Sequence, residues 1–197
     1  VLNGHNGAVE LLIEAKANVN SRSRFGSTPL HFAVSGGHAA AAQVLIGAHA
    51  SVNVDDLSGL SPLYHAASLG NNAIVQILVD SNAAVDVQDR SRQTPLHLAA
   101  AKDHTNVAQI LLDANASVNV TDEGKKTPLH LAAMNGHRAT AKLLLDAHAT
   151  VDAVDISGLT PLHLAASKGD DVVVHVLINS NATINVKNRY HLTPLHF

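Results

Sequence analysis

The sequence contains no cysteine and no tryptophan, and only 3% of its 197 residues are aromatic. The lack of cysteine excludes disulfide bonds, a thiolate nucleophile and any zinc site built on cysteine. The formal net charge of −3 gives the chain no general attraction for nucleic acid or an anionic membrane surface. No apolar run approaches the roughly 20 residues that a membrane-spanning helix needs. The apolar character, 46% of the residues, comes instead from Ala, Val, Leu and Ile.

A short motif returns throughout the chain. TPLHLAA stands at 94–100, 127–133 and 160–166, and close variants occupy the other copies. The prolines are spaced by 33 residues without an insertion or deletion: Pro29, Pro62, Pro95, Pro128, Pro161 and Pro194. Because a fixed period of this length is the mark of a repeat architecture, we expect one structural unit per copy.

Each unit can be interpreted as two short helices and a loop. Thr or Ser before Pro predicts a helix N-cap followed by Pro at the first helical position, as in a helix over Pro95–Ala101. Glycine then breaks the chain, and an aliphatic triplet predicts a second helix, for example Asn106–Leu112. The last dozen residues hold Asp or Asn and predict a β-turn or hairpin arm. Such a unit cannot bury its apolar face alone, so we expect the units to stack.

The period, the T-P-L-H-x-A motif, Gly-His between the helices and an LLxxGAxVN-like close resemble the ankyrin repeat. The resemblance implies an all-α fold, an ankyrin-repeat solenoid of stacked antiparallel helix pairs with projecting β-turn or hairpin loops. We interpret 1–197 as a single array, with a partial repeat at 1–24, five complete repeats that hold Pro29, Pro62, Pro95, Pro128 and Pro161, and a partial repeat at 190–197. The resemblance also implies a protein that binds other proteins and is not an enzyme.

Three departures from the family pattern affect local geometry. The glycine after the second helix is replaced in every copy, by Lys16, His49, Asn82, Asn115, His148 and Asn181. We expect a left-handed backbone there, which suits Asn and His better than Lys16, so Lys16 predicts a looser helix end. In the loops, Gly26, Gly59 and Gly158 are retained, whereas Arg92, Lys125 and His191 stand in the same column. Tyr64 replaces the motif histidine in one copy.

Fourteen histidines raise the question of a metal or catalytic site. The motif histidines stand three residues after the Thr cap, where the ring can reach the Thr hydroxyl and a backbone group: His31, His97, His130, His163 and His196. Their spacing of a full repeat keeps them too far apart for a zinc site, so we predict a structural role and no metal or other cofactor. A pH response through partly buried histidine is the remaining alternative. No motif of a known catalytic class occurs, and we predict no catalytic residues.

The loops carry mixed charge. Eight basic residues lie in them, namely Arg22, Arg24, Arg90, Arg92, Lys125, Lys126, Lys187 and Arg189. Eight acidic residues share the same windows, namely Asp55, Asp56, Asp86, Asp89, Asp122, Glu123, Asp152 and Asp155. The net charge from loop to loop is therefore +2, −2, 0, 0, −2 and +2. A phosphate track would need one sign of charge, so the pattern disfavours a nucleic-acid partner.

A partner is expected where the units differ, since the repeated columns are fixed by packing. The candidate partner-binding residues in the loops are Phe25, Leu57, Arg90, Gln93, Lys126, Ile156 and Tyr190, and those at the ends of the first helices are Leu69, Lys102, Met134 and Lys168. In a stacked array both sets should fall on one concave side. Large apolar residues at turns suggest binding anchors, in two zones around a mixed-charge centre. Leu60 and Leu159, which follow the loop glycine, are expected to pack between loops instead.

Three functions remain open. The chain could be a non-catalytic scaffold that binds a protein or peptide along the concave face. It could also be a targeting or spacer arm of a larger effector, toxin, channel or enzyme, or a stack without a dedicated partner.

The two ends of the sequence bear on this choice. It begins on Val1 and ends inside a motif copy, so we expect a segment of a longer array, monomeric within it and able to associate end to end when isolated. The absence of cysteine and of a signal-like start favours an intracellular protein.

Overall fold

The computed structural model describes every residue, Val1–Phe197, as α-helices and turns with no β-strand. Helices α1 to α11 cover Asn6–Glu14, Pro29–Ser35, Ala39–Gly47, Pro62–Leu69, Asn72–Asp80, Pro95–Ala101, Thr105–Asp113, Pro128–Asn135, Arg138–Asp146, Pro161–Lys168 and Asp171–Asn179, and a 3-10 turn covers Pro194–His196. The prolines begin every even-numbered helix, as their spacing predicts. The helix predicted over Pro95–Ala101 is confirmed, and the one predicted over Asn106–Leu112 extends one residue further at each end.

Four of the five even-numbered helices, all except α4, begin at a capping box. Thr94 has an extended backbone, its hydroxyl accepts the His97 N–H at 3.4 Å, and its own N–H is bonded to His97 Nδ1 at 3.1 Å. Pro95 occupies the first helical position, where its missing N–H costs no hydrogen bond. Ser61 replaces Thr in one repeat, and its hydroxyl accepts the Tyr64 N–H at 3.2 Å.

The helices form two stacked rows. The even-numbered helices α2, α4, α6, α8 and α10 pack in chain order, and the odd-numbered helices α1 to α11 form the second row. Each even-numbered helix also packs against the odd-numbered helix that follows it. The stacked antiparallel helix pairs predicted from the sequence are confirmed.

A continuous apolar core runs along the stack. The motif leucines of the even-numbered helices are almost completely buried, with Leu30, Leu96 and Leu129 at 0% exposure. Ala99 and Ala100 are also completely buried, so small side chains let neighbouring helices approach closely. The core joins all the repeats into one cluster. The leucine and alanine residues that recur from repeat to repeat are therefore needed for packing.

The left-handed backbone predicted after each odd-numbered helix is confirmed. Lys16, His49, Asn82, Asn115, His148 and Asn181 have φ between 61° and 66°. The looser helix end predicted at Lys16 is not observed, because its N–H is bonded to the Ile13 carbonyl at 2.9 Å, as that of His49 is to Ile46. Glycine suits the turn between helices at Gly136, where φ is 78° and an added Cβ would lie 2.4 Å from the Asp170 carboxylate, although Asp103 occupies the same repeat column with φ of 58°.

Candidate functional site

In five of the six loops, one Asp or Asn side chain closes the turn. Asp56 Oδ1 accepts the Ser58 N–H at 2.8 Å and the Leu60 N–H at 3.1 Å, which closes the turn between them. The same pair of bonds is made by Asp89, Asp155 and Asn188. Asp122 accepts one of them, from the Lys126 N–H at 2.8 Å. The recurrent Asp or Asn is thus a turn-forming residue.

Neighbouring loops touch through what we call the loop tips. The tips are Arg24–Phe25, Leu57–Ser58, Arg90–Ser91, Glu123–Gly124, Ile156–Ser157 and Arg189–Tyr190. A single backbone hydrogen bond of 2.9 to 3.1 Å links the tips at four junctions, from Leu57 to Phe25, Glu123 to Ser91, Ile156 to Gly124 and Arg189 to Ser157. At the remaining junction the Arg90 guanidinium donates to the Leu57 carbonyl at 2.6 Å. The tips therefore form one connected row.

Four large apolar side chains project from this row. Their exposed fractions are 60% for Phe25, 62% for Leu57, 51% for Ile156 and 75% for Tyr190. Phe25 and Tyr190 occupy the same repeat column in the first and last loops, and the Arg24 guanidinium lies 4.5 Å from the centre of the Phe25 ring. Leu60 and Leu159 are only partly exposed.

The other candidate residues differ in how far they are held by the fold. Gln93 and Lys126 follow the tips and are half-buried, and both are fixed through backbone N–H bonds to the loop carboxylates. Lys102 is exposed, yet its ammonium donates to the carbonyl and hydroxyl of Ser68, both at 2.8 Å. At the other first-helix ends, Leu69 and Lys168 are exposed and Met134 is half-buried.

The motif histidines position the loops. His97 Nδ1 bonds to the Thr94 N–H and lies 2.9 Å from its hydroxyl, and Nε2 lies 3.0 Å from the Lys126 carbonyl in the next loop. The Nε2–H tautomer satisfies all three contacts. His31, His130 and His163 bond to the carbonyls of Leu60, Leu159 and Leu192 in the same way. Each histidine therefore ties its own helix to the following loop.

These bonds require a neutral ring. Burial lowers the pKa of His31, His97 and His130, and the hydrogen bond to the next loop's carbonyl opposes that shift only in part. The structural role predicted for this column is confirmed by its contacts.

One layer of the stack uses a different bond. Tyr64, which replaces the motif histidine, donates its hydroxyl to Asp89 Oδ2 at 2.6 Å, while Asp89 Oδ1 closes its loop. Burial, followed by the hydrogen bond and the negative charge of Asp89, raises the pKa of Tyr64. The substitution noted in the sequence thus exchanges a helix-to-carbonyl bond for a helix-to-carboxylate bond.

The sequence did not identify a neighbouring pair, His65 and Asp56. The His65 ring lies 3.1 Å from Asp56 Oδ2 and 5.8 Å from the His31 ring, edge to face. Burial would raise the pKa of Asp56, but the bonds from the Leu60 N–H, the His65 ring and the Ser58 N–H lower it overall. The sequence feature that could have indicated this pair is His65 itself, a polar residue at a motif position that holds Phe or Leu in the other repeats.

The loop charges are unequally exposed. Seven of the eight basic residues are exposed, all except Lys126, but only three of the eight acidic ones are, namely Asp55, Asp86 and Glu123. Asp122 and Asp155 are buried, at 8% and 5% exposure, because they close their turns. The balanced loop-by-loop charge counted from the sequence therefore understates the positive charge that the loops present to a partner.

No three or more His, Asp or Glu side chains converge in a way that could hold a metal ion. None of the helices has the length and apolar character required to cross a bilayer.

Comparisons with known proteins agree with the helix-pair geometry. A family model described as ankyrin repeats (3 copies) matches residues 1–89 and 70–155, and a model for a single ankyrin repeat matches 157–189. The chain superposes on the crystal structure of the human ASB11 ankyrin repeat domain with a TM-score of 0.88 and 31% sequence identity. That match covers 98% of this chain and 87% of the ASB11 chain. No curated protein sequence gives a significant match.

Proposed function

The chain belongs to the ankyrin repeat family, and we propose that it is a non-catalytic module that binds a protein or peptide through its loop tips and the ends of its even-numbered helices. Ankyrin repeats generally mediate protein–protein interaction. The same surface would serve an independent scaffold or one arm of a larger protein.

One observation carries the proposal. The apolar side chains at the loop tips, Phe25, Leu57, Ile156 and Tyr190, remain at least half exposed, whereas the motif leucines of the stack are buried. Exposed apolar groups clustered on one surface are typical of interaction sites, and aromatic anchors dominate the binding energy of such sites. The row is also held in place by loop carboxylates, histidines and tip-to-tip bonds. Little ordering would therefore be required on binding.

The proposal assigns no reaction to the polar groups, because their hydrogen-bonding capacity is used by the fold. In the buried motif histidines both ring nitrogens are bonded, and the loop carboxylates accept N–H groups of their own turns. A general acid or base would need an atom directed at a substrate.

The test starts from a displayed library of random 16-residue peptides, selected on the wild-type chain. We expect Phe25→Ala, Leu57→Ala and Tyr190→Ala each to weaken binding of the selected peptides by about tenfold, the effect of losing about 1.4 kcal/mol at an anchor. The Tm should change by less than about 2 °C, since these side chains contact little of the core.

Val172→Ala is the matched control. Val172 is 46% exposed on α11, outside the loop tips, and its removal should leave binding unchanged. Tip variants that bind like the wild type would contradict the proposal. So would a loss of affinity that parallels a loss of Tm.

A further inference from the structure

We infer that the loop tips bind an acidic segment in extended conformation, a conclusion that rests on the proposed function and specifies its partner. The segment would carry apolar side chains between its Asp and Glu residues. Three features of the loops support this choice: the direction of their carboxylates, the exposure of their cations and the backbone conformation at two of those cations.

The loop carboxylates are turned inward. Asp56 uses one oxygen for two backbone N–H groups and the other for His65, and Asp89 uses its oxygens for its turn and for Tyr64. Asp155 closes its turn while buried. A partner's ammonium or guanidinium group would have to displace these bonds in order to pair with the carboxylates.

The cations face outward. The exposed basic residues are Arg22, Arg24, Arg90, Arg92, Lys125, Lys187 and Arg189. Arg22 donates to the Asp55 carbonyl and Arg90 to the Leu57 carbonyl, each in a neighbouring loop. These bonds keep both guanidinium groups at the row of loop tips. Of the three exposed acidic residues in the loops, Asp86 is also occupied, since its carboxylate accepts the N–H and hydroxyl of Ser117. A partner in direct contact with the loops therefore meets mainly positive charge.

Two of these cations occupy strained backbone positions. Arg92, Lys125 and His191 have φ of 61°, 59° and 60° in the loop column where Gly26, Gly59 and Gly158 have φ of 76° to 79°. A left-handed backbone disfavours residues that carry a Cβ, so glycine would suit all three positions better. Non-glycine residues in this backbone region cluster at functional sites. At two of the three positions, Arg92 and Lys125, the side chain is a cation.

The spacing of the row fits an extended chain. Stacked helices lie about 10 Å apart, and an extended peptide advances about 3.3 Å per residue, so neighbouring loops would meet every third residue. A segment that spans the six loops would therefore have about 16 residues. Phe25 beside Arg24 and Tyr190 beside Arg189 would each offer an apolar contact next to a positive charge. Single-stranded RNA is less well matched, because stacked bases need successive aromatic rings and the two tip aromatics stand in the first and last loops.

The experiment uses the same 16-residue library, with the sequences selected on the wild type compared with the unselected pool. We expect at least a twofold enrichment of Asp and Glu, and at least a tenfold weaker binding of selected peptides when NaCl rises from about 50 to 300 mM. The double variant Arg92→Glu/Lys125→Glu should weaken binding more than tenfold. The control Arg138→Glu/Lys142→Glu makes the same charge change on exposed residues of α9 and should leave binding within twofold.

A second pair of variants separates binding from folding. Arg92→Gly/Lys125→Gly removes both charges and relieves the backbone, so its Tm should equal or exceed that of the wild type while binding weakens at least fivefold. Unchanged binding by this variant would overturn the inference.

The remaining outcomes distinguish the inference from the proposed function. Neutral or basic selected peptides that still depend on Phe25, Leu57 and Tyr190 would overturn the acidic partner alone. Selected peptides insensitive to every tip substitution would overturn both. A 16-nucleotide oligouridine that competes with the selected peptides and binds more tightly than they do would also overturn the acidic peptide.

Discussion

Removal of one motif histidine tests how the stack positions its loops. In His97→Ala the chain loses the bonds to the Thr94 N–H, the Thr94 hydroxyl and the Lys126 carbonyl, at 3.1, 2.9 and 3.0 Å. Each such bond contributes about 1 kcal/mol net. The side chain is completely buried, so truncation also leaves a cavity and unpaired polar groups. We expect a loss of about 3–4 kcal/mol in the free energy of unfolding.

The chain provides a matched control at His196. In the 197-residue chain it stands in the same TPLH motif and contacts the Thr193 hydroxyl at 2.9 Å, but it is exposed and its Nε2 makes no hydrogen bond. Water can replace what His196→Ala removes, so the expected loss is below about 1 kcal/mol. Equilibrium unfolding in guanidinium, followed by far-UV circular dichroism, measures both losses as midpoint shifts, which remain comparable even if the repeats do not unfold in one step.

The substitution His97→Tyr adds a discriminating test. Tyr64 reaches Asp89, which lies 25 residues later, and Asp122 stands at the same distance from position 97. A tyrosine there should recover part of the stability that alanine loses. Equal losses for His97→Ala and His196→Ala would refute the argument, because burial and the inter-repeat bond would then contribute nothing. A tyrosine variant no better than alanine would refute the compensation by Asp122.

Two further predictions follow from the same contacts. The folded chain has a lowered pKa at three motif histidines, His31, His97 and His130. Between that lowered pKa and the ordinary value of 6.5, the unfolded chain therefore binds more protons than the folded chain. The Tm should fall as the pH is lowered through this window. Thermal melts between about pH 7.5 and 5.5 measure the fall, His97→Tyr should reduce it, and a flat profile would contradict it. Asp155→Ala should weaken peptide binding by loosening the Ile156 tip, whereas Asp155→Asn should retain it because Asn188 makes the same two bonds in the last loop. Equal binding by both variants would contradict this role.

The fold could be predicted from the sequence because its signals are local and repeated. Proline after a cap fixes the start of each even-numbered helix, and the same register carries the leucine and alanine columns into the core. The left-handed residues after the odd-numbered helices could be predicted for the same reason, since one column meets one backbone geometry in every copy. Even Lys16, which suits that geometry poorly, follows it, because the stack imposes the turn on each unit.

The candidate site could be predicted less completely, because it depends on where side chains point. Asp155 and Glu123 contribute equally to a charge count made from the sequence, but Asp155 is buried in its turn and Glu123 is exposed. Lys102 looks like an available cation in the sequence, but it binds the backbone and hydroxyl of Ser68 in the neighbouring repeat. The pairing of His65 with Asp56 joins residues from the helix and the loop of one repeat. A comparison of equivalent positions in the repeats does not predict this contact.

The separation of packing from recognition follows from the way the repeats are held together. The motif residues satisfy each unit's caps, turns and core, so that a tip side chain contributes little to folding and can vary from one loop to the next. At the same time, the His-to-carbonyl and tip-to-tip bonds prevent each loop from moving independently. A row of variable side chains on a rigid support loses little conformational entropy when a partner binds, and that lowers the cost of recognition along an extended segment. Affinity in this chain should therefore depend on two separable properties, the identity of the tips and the rigidity of the loops that carry them.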